Sequence, residues 1–210
     1  MPSRPHPTRL YAVVPAEEGS TLKARRRFSI LTCGPAAALF GHSPDHADPA
    51  RAALQHDRIV ASALESCSSV IPFRLGTDFA SATELHAVVS RNAGQLAEQL
   101  GRFRGRVEMG LKVGLAAADQ PFCLPAGLDR VRALAPQPAD RCERLGRSRQ
   151  GKVFAGCYLI SRPAIEDFWR AVEAIRSSSP GLPLLGSGPW APYSFCDAPL
   201  RPGVVRGVAF

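Results

Sequence analysis

Val70-Ile71-Pro72-Phe73-Arg74-Leu75-Gly76-Thr77-Asp78, with the helical pattern behind it and the run Arg106-Val107-Glu108-Met109-Gly110-Leu111-Lys112-Val113, decides the fold. Proline removes a ladder donor, so Val70 to Leu75 reads as an edge or bulged strand. Gly76-Thr77-Asp78 supplies a turn, and Ser81 or Thr83 can cap the helix that follows. Leu85, Val89, Leu96, Leu100 and Phe103 recur at helical spacing on one face, with Arg91, Gln95, Glu98 and Gln99 pointing elsewhere. Gly101 and Gly105 are expected to end that helix. Arg106 to Val113 then alternates polar and apolar, the mark of a half-buried strand.

Working outward, Arg9 to Val14 and Phe28 to Thr32 read as strands, and Gly34-Pro35 turns the chain into a third strand, Ala36 to Phe40. Asp48-Pro49 pairs a cap aspartate with a first-turn proline, and the spacing predicts a helix to about Ser66. Its expected apolar side carries Ala53, Leu54, Val60, Ala61 and Leu64. Two helices among four or five strands suggest an open sheet with helices on one side, close to a ferredoxin-like arrangement. Residues 116–150 hold four prolines and a charged stretch, and read as a linker with at most two short helices. Lys152 to Ile160 is apolar on both faces, as a central strand requires. Pro163 to Ser177 is predicted helical with Ile165, Phe168, Trp169, Val172 and Ile175 as a core stripe, and Gly181 to Leu185 is a further short strand. The resulting fold class is α+β, divided into a modified ferredoxin-like domain (1–116), a proline-rich linker (117–150) and a small α+β domain (151–210).

Composition narrows the function classes. The 210 residues suffice for one good core or two small ones. No apolar run approaches the roughly 20 residues of a membrane helix, and the start of the chain does not read as a signal peptide. The chain is therefore expected in the cytoplasm. The net charge is +8, carried almost wholly by arginine and shared evenly between the halves. The densest cluster, Lys23 to Arg27, has only Phe28 beside it, which suits a solvated loop or a patch for an acidic partner better than a nucleic-acid stripe.

Candidate chemistry is sparse. Six cysteines lie scattered with no C-x-x-C pair, so neither a zinc site nor a disulfide framework is indicated. His42, Asp45, His46 and His56 offer ligand types but no shared helical face, and no metal or cofactor is expected. A cysteine hydrolase using His56 or His86 lacks any supporting motif. A ferredoxin-like RNA-binding module is the alternative, resting on the aromatics of Gly151 to Tyr158.

One segment is more specific. Ser187-Gly188-Pro189-Trp190-Ala191-Pro192-Tyr193-Ser194-Phe195 presents three aromatics on a chain stiffened by prolines, which lowers the entropy lost when they pack or bind. It resembles the T-G-P-W-P-P-Y-S-F signature of the GvpL/GvpF family of gas vesicle proteins. Pro72 to Thr77, Gly105 to Val113, the opening Leu10 to Val14, and His56 in its helix are similar to that family too. Residues 187 and 191 depart mildly, with serine for threonine and alanine for proline. Residues 116–150 are too short and proline-rich for the long charged helix of members, so contacts made through that arm are not carried over.

The resemblance implies an accessory protein of gas vesicle assembly, with no catalysis. It also implies a modified ferredoxin-like domain joined to a smaller α+β domain. The implied partner is the small hydrophobic wall protein, with other accessory proteins as further candidates and no nucleic acid or membrane. The candidate partner-binding and motif residues are Arg74, Gly76, Arg106, Glu108, Lys112, Gly188, Pro189, Trp190, Pro192 and Tyr193. Strand addition at the edge marked by Pro72, with Arg74 and Arg106 contacting acidic groups, is the expected mode of capture.

Overall fold

In the computed structural model, residues 7–22, 28–42, 48–114, 126–148, 151–196 and 200 are described. The chain divides into two units, residues 1–104 with 196–210, and residues 105–195.

The first unit is built on β1 (Thr8–Pro15), whose eight residues are all buried. It leads through α1 (Ala16–Leu22) into a hairpin of β2 (Ser29–Cys33) and β3 (Ala36–His42), turned by Gly34 at φ +59°. Helix α2 (Pro49–Ser66) follows, and the Asp48 side chain accepts a hydrogen bond from the Arg51 N–H, the cap expected there. Two short strands, β4 (Ile71–Pro72) and β5 (Asp78–Phe79), both pair with β1. The sheet order β2-β3-β1-β4 is antiparallel throughout, which with α1 and α2 as connections gives a β-α-β-β-α-β path.

Register explains several side chains. Leu10 pairs with Phe40 and Ala12 with Leu39, so Tyr11 is the extra residue of a bulge. A Cβ on Gly41 would lie 2.7 Å from the Tyr11 hydroxyl, so only glycine leaves that ring its place. Arg9 and Asp78, opposed in register, form two bonds of 2.8 and 2.9 Å that lock β5 to β1.

Along α2 the buried residues are His56, Ile59, Val60, Ala63 and Leu64. The expected apolar side is thus rotated: Ala53 and Ala61 are exposed and Leu54 is 58% exposed. The sheet buries what it covers, and it reaches the last two-thirds of this helix more than its first turns.

The single helix expected after Ser81 is two. Ser81 caps α3 (Ala82–Arg91), with Glu84 reaching back to the Ala80 N–H, and α4 (Ala93–Phe103) starts after a break at Asn92. The Asn92 side chain donates to the Val88 carbonyl at 2.7 Å, a local bond that competes with helix continuation. Gly101 lies inside α4 and does not end it. The stripe Leu85, Val89, Leu96, Leu100 and Phe103 is buried as expected, and Gln99 is buried with it.

The second unit contains β6 (Arg106–Gly114), α5 (Leu128–Ala133), β7 (Arg141–Ser148), β8 (Gly151–Ser161), α6 (Ile165–Ser178) and β9 (Leu184–Trp190). Its sheet runs β7-β8-β6-β9 in antiparallel pairs. This corrects the expected division. The strand Arg106 to Val113 pairs with β8 and β9, so the units part between residues 104 and 105, ahead of the expected boundary at 116. The expected linker likewise supplies α5, a 3-10 turn at Pro138–Asp140 and the edge strand β7. The proline-rich composition before it hid β7, whose sequence Arg141-Cys142-Glu143-Arg144-Leu145-Gly146-Arg147-Ser148 is charged and lacks a regular apolar alternation. Strand β8 is central, and Phe168, Val172 and Ile175 of α6 are buried, but Trp169 is 39% exposed. The last strand begins at Leu184 and runs through the motif to Trp190.

Candidate functional site

The motif segment is joined to β6 rather than standing free. Register places Trp190 opposite Glu108, Ser187 opposite Gly110 and Leu185 opposite Lys112, with a bulge between the first two pairs. The Gly188-Pro189 peptide bond is cis, and Gly188 sits at φ +116°. A Cβ there would meet the Glu108 carbonyl at 2.9 Å, and one on Gly110 would lie 2.5 Å from Ser187 Oγ. Glycine is therefore required at 188 by its φ and by the facing backbone, whereas a Cβ at 110 would have to displace the Ser187 hydroxyl.

Beyond Trp190, Ala191 and Pro192 are buried and Tyr193–Phe195 forms a 3-10 turn. That turn is clamped by Glu108, whose two carboxylate oxygens accept from the Ser194 N–H and hydroxyl, each at 2.8 Å. The Cys157 thiol lies close to the same group. Burial pushes that thiol above its ordinary value, the Glu108 charge adds to this, and Ser194 opposes it. Glu108 is buried, where an alternating strand pattern places it in water. The penultimate residue of the motif, Ser194, was the available signal for its partner.

Glu108, Gly188, Pro189, Trp190, Pro192 and Tyr193 thus form one local structure, from segments about eighty residues apart in sequence. Its outward side is apolar and basic: Trp190 is 49% exposed, Leu185 60%, and Lys112 is exposed beside them. Because β9 ends the strand order, this strip lies along a sheet edge. Leu185 was missed because a leucine within a short apolar run reads as core.

Arg74 and Gly76 lie in the other unit, on the turn between β4 and β5. Gly76 is at φ +89°, and the Thr77 N–H and hydroxyl both donate to the Arg74 carbonyl, at 3.1 and 2.8 Å. The turn is therefore preorganised, with Arg74 exposed and Leu75 46% exposed at its tip. Arg106 is differently placed. It holds the buried Asp140 at 2.7 Å, which ties the start of β6 to the turn that enters β7. A directional contact from Arg106 to a partner would compete with its bond to this buried carboxylate, so the expected partner role competes with a structural one.

The expected strand addition at Pro72 finds little room. β4 is two residues long, and Ile71, Pro72 and Phe73 are all buried. Nor can the aromatics behind the RNA-binding alternative stack on bases, since Phe154 and Tyr158 are buried. The Tyr158 hydroxyl instead donates to Glu143, which also receives two bonds from Arg132 at 2.9 and 2.6 Å. Those Arg132 bonds hold the Glu143 carboxyl below its usual range, and burial holds Tyr158 above its own. This lock between α5 and the sheet was missed because both partners lie in the stretch read as linker.

His56 Nε2 bonds to the Phe73 carbonyl at 2.8 Å and its ring meets Tyr11 edge-on, which ties α2 to β1 and makes this histidine a packing residue. Asp45, His46 and Lys23 to Arg27 lie outside the described residues. Among the described residues no three metal-ligating side chains cluster, and Cys33, Cys67, Cys142, Cys157 and Cys196 form no disulfide. No described helix is long and apolar enough to cross a membrane.

Comparison with known proteins agrees with this geometry. The model of the family described as "Gas vesicle synthesis protein GvpL/GvpF" matches residues 8–138 and 128–197. Gas vesicle protein F2 of Halobacterium salinarum is 26% identical over 166 residues, covering 73% of this chain and 71% of the relative. Two crystal structures share the fold at low identity. GvpF from Anabaena sp. PCC7120 superposes with a TM-score of 0.67 at 14% identity, covering 90% of this chain and 98% of that one. GvpF from Microcystis aeruginosa does so with a TM-score of 0.70 at 15% identity, with the same coverage. The chain belongs to the GvpL/GvpF family of gas vesicle proteins.

Proposed function

We propose that this accessory protein binds the small hydrophobic wall protein of the gas vesicle and assists its assembly in the cytoplasm, acting by surface complementarity without catalysis or a cofactor. The observation that carries the reading is Trp190, half exposed on a strand whose end is clamped by Glu108. A rigid, exposed aromatic beside Leu185 gives up little entropy on binding an apolar partner. Lys112 next to them, and Arg74 at the tip of its own fixed turn, offer contacts to acidic groups on that partner. The protein remains with the vesicle as a minor component, where other accessory proteins are further partners.

The test is capture of the wall protein by the full chain. Trp190→Ala with Leu185→Ser should weaken capture about tenfold or more, the usual effect of removing an interfacial aromatic anchor. Arg74→Glu should weaken it separately while leaving the circular dichroism spectrum unchanged. Capture at full strength by both variants would reject this reading.

A further inference from the structure

Cys142 of β7 and Cys157 of β8 are register partners, and both thiols are half-buried rather than sealed in the core. Backbone bonds at the two ends of β6 define what kind of pair they make. The Arg162 N–H donates to the Gly105 carbonyl, and the Gly114 N–H to the Pro183 carbonyl. Counting alternately from these bonds, Gly110 directs its backbone groups to β9, so its pairing with Cys157 is of the non-hydrogen-bonded type. Cys157 must then direct its own N–H and carbonyl to β7. Cys142 and Cys157 are therefore a hydrogen-bonded pair on one face, for which the Cα atoms stand about 5.5 Å apart. That lies inside the roughly 4.4–6.8 Å range of disulfides.

We propose that Cys142 and Cys157 are a redox modification site, a dithiol that low-molecular-weight disulfides convert into a reversible cross-strand bond stapling β7 to β8. This goes beyond the binding role and does not rest on it. The Cys142 thiolate attacks one sulfur of the added disulfide, forming a mixed disulfide and releasing one thiolate. The Cys157 thiolate then attacks Cys142 Sγ and expels the second. Two protein thiols are oxidised, one added disulfide is reduced to two thiols, and the two S–H protons pass to those products.

The order of attack follows from the surroundings. Cys157 lies on the inner strand β8, near the Glu108 charge, which leaves Cys142 on the edge strand as the entry point. Side chains of a hydrogen-bonded pair start further apart than those of the other type, so closure twists β7. That strand has a sheet neighbour on one side only and can follow. The bond so formed is strained and readily reduced, the property of a labile rather than a structural disulfide. Glu108 keeps both bonds from Ser194 on oxidation.

The experiment exposes the folded full chain to oxidised glutathione, blocks remaining thiols and maps peptides by mass. The expected result is loss of two free thiols and a cross-linked Cys142–Cys157 peptide lighter by two hydrogens, fully restored by dithiothreitol. Cys142→Ser should abolish that peptide and Cys196→Ser should leave it intact, with Cys142→Ala as a second variant should serine disturb the strand. Glutathione adducts that persist without an internal link, a link from either residue to a different cysteine, or an unchanged thiol count would each overturn the proposal.

Discussion

Replacing Glu108 by alanine tests whether the motif is held by β6 in the way the geometry describes. The change removes both acceptors of the Ser194 N–H and hydroxyl bonds, each 2.8 Å long. A hydrogen bond to a charged group contributes about 1.5–3 kcal/mol. Ser194 is exposed, so its freed donors regain water, and each bond contributes at or just below the low end of that range, about 1–1.5 kcal/mol. The expected loss is about 2–3 kcal/mol. Ser194→Ala removes only the hydroxyl bond and should cost about 1 kcal/mol. Because the two residues share that bond, the double variant should lose about 1 kcal/mol less than the sum of the single changes. Urea unfolding followed by tryptophan fluorescence is the assay, since both tryptophans, Trp169 and Trp190, lie in the second unit and report its unfolding. Strict additivity, with a coupling below about 0.3 kcal/mol, would refute the clamp.

Two further predictions concern pH. Burial holds His56 below its ordinary value, so the unfolded chain takes up its proton first; stability should fall as pH drops below 6.5 and level off below the folded value. His56→Phe should flatten the stability curve of the first unit in that window by hydrogen exchange, and an unchanged slope would exclude the histidine as its source. The Arg132 bonds hold Glu143 below 4.5, so its contribution is present above that pH and is lost as pH falls further. Glu143→Gln should reduce the acid sensitivity of the tryptophan-monitored transition, and equal sensitivity in both proteins would count against the lock.

Much of the secondary structure was legible in the sequence because it depends on neighbours along the chain. The Asp48 cap, the glycine turns and the stripe from Leu85 to Phe103 are signals that a few residues carry alone. The family was legible for a related reason, since Gly188 is required by its φ and by close backbone approach, and it leaves a fixed pattern of residue types with the prolines and aromatics around it. Partner choice between strands was not. The alternation from Arg106 to Val113 says that one face is dry without saying which sheet supplies the cover, and β6 joined the second unit. Solvation of individual side chains was decided the same way. Glu108 became buried because Ser194, far off in sequence, satisfies it, and Arg106 was drawn from the surface by Asp140. Trp190 and Leu185 stayed exposed because β9 ends the sheet and nothing described covers their side of it. Local propensity and pattern were therefore properties of the sequence alone. Which surfaces meet, and so which residues remain available to a partner, was settled only by packing between segments distant along the chain.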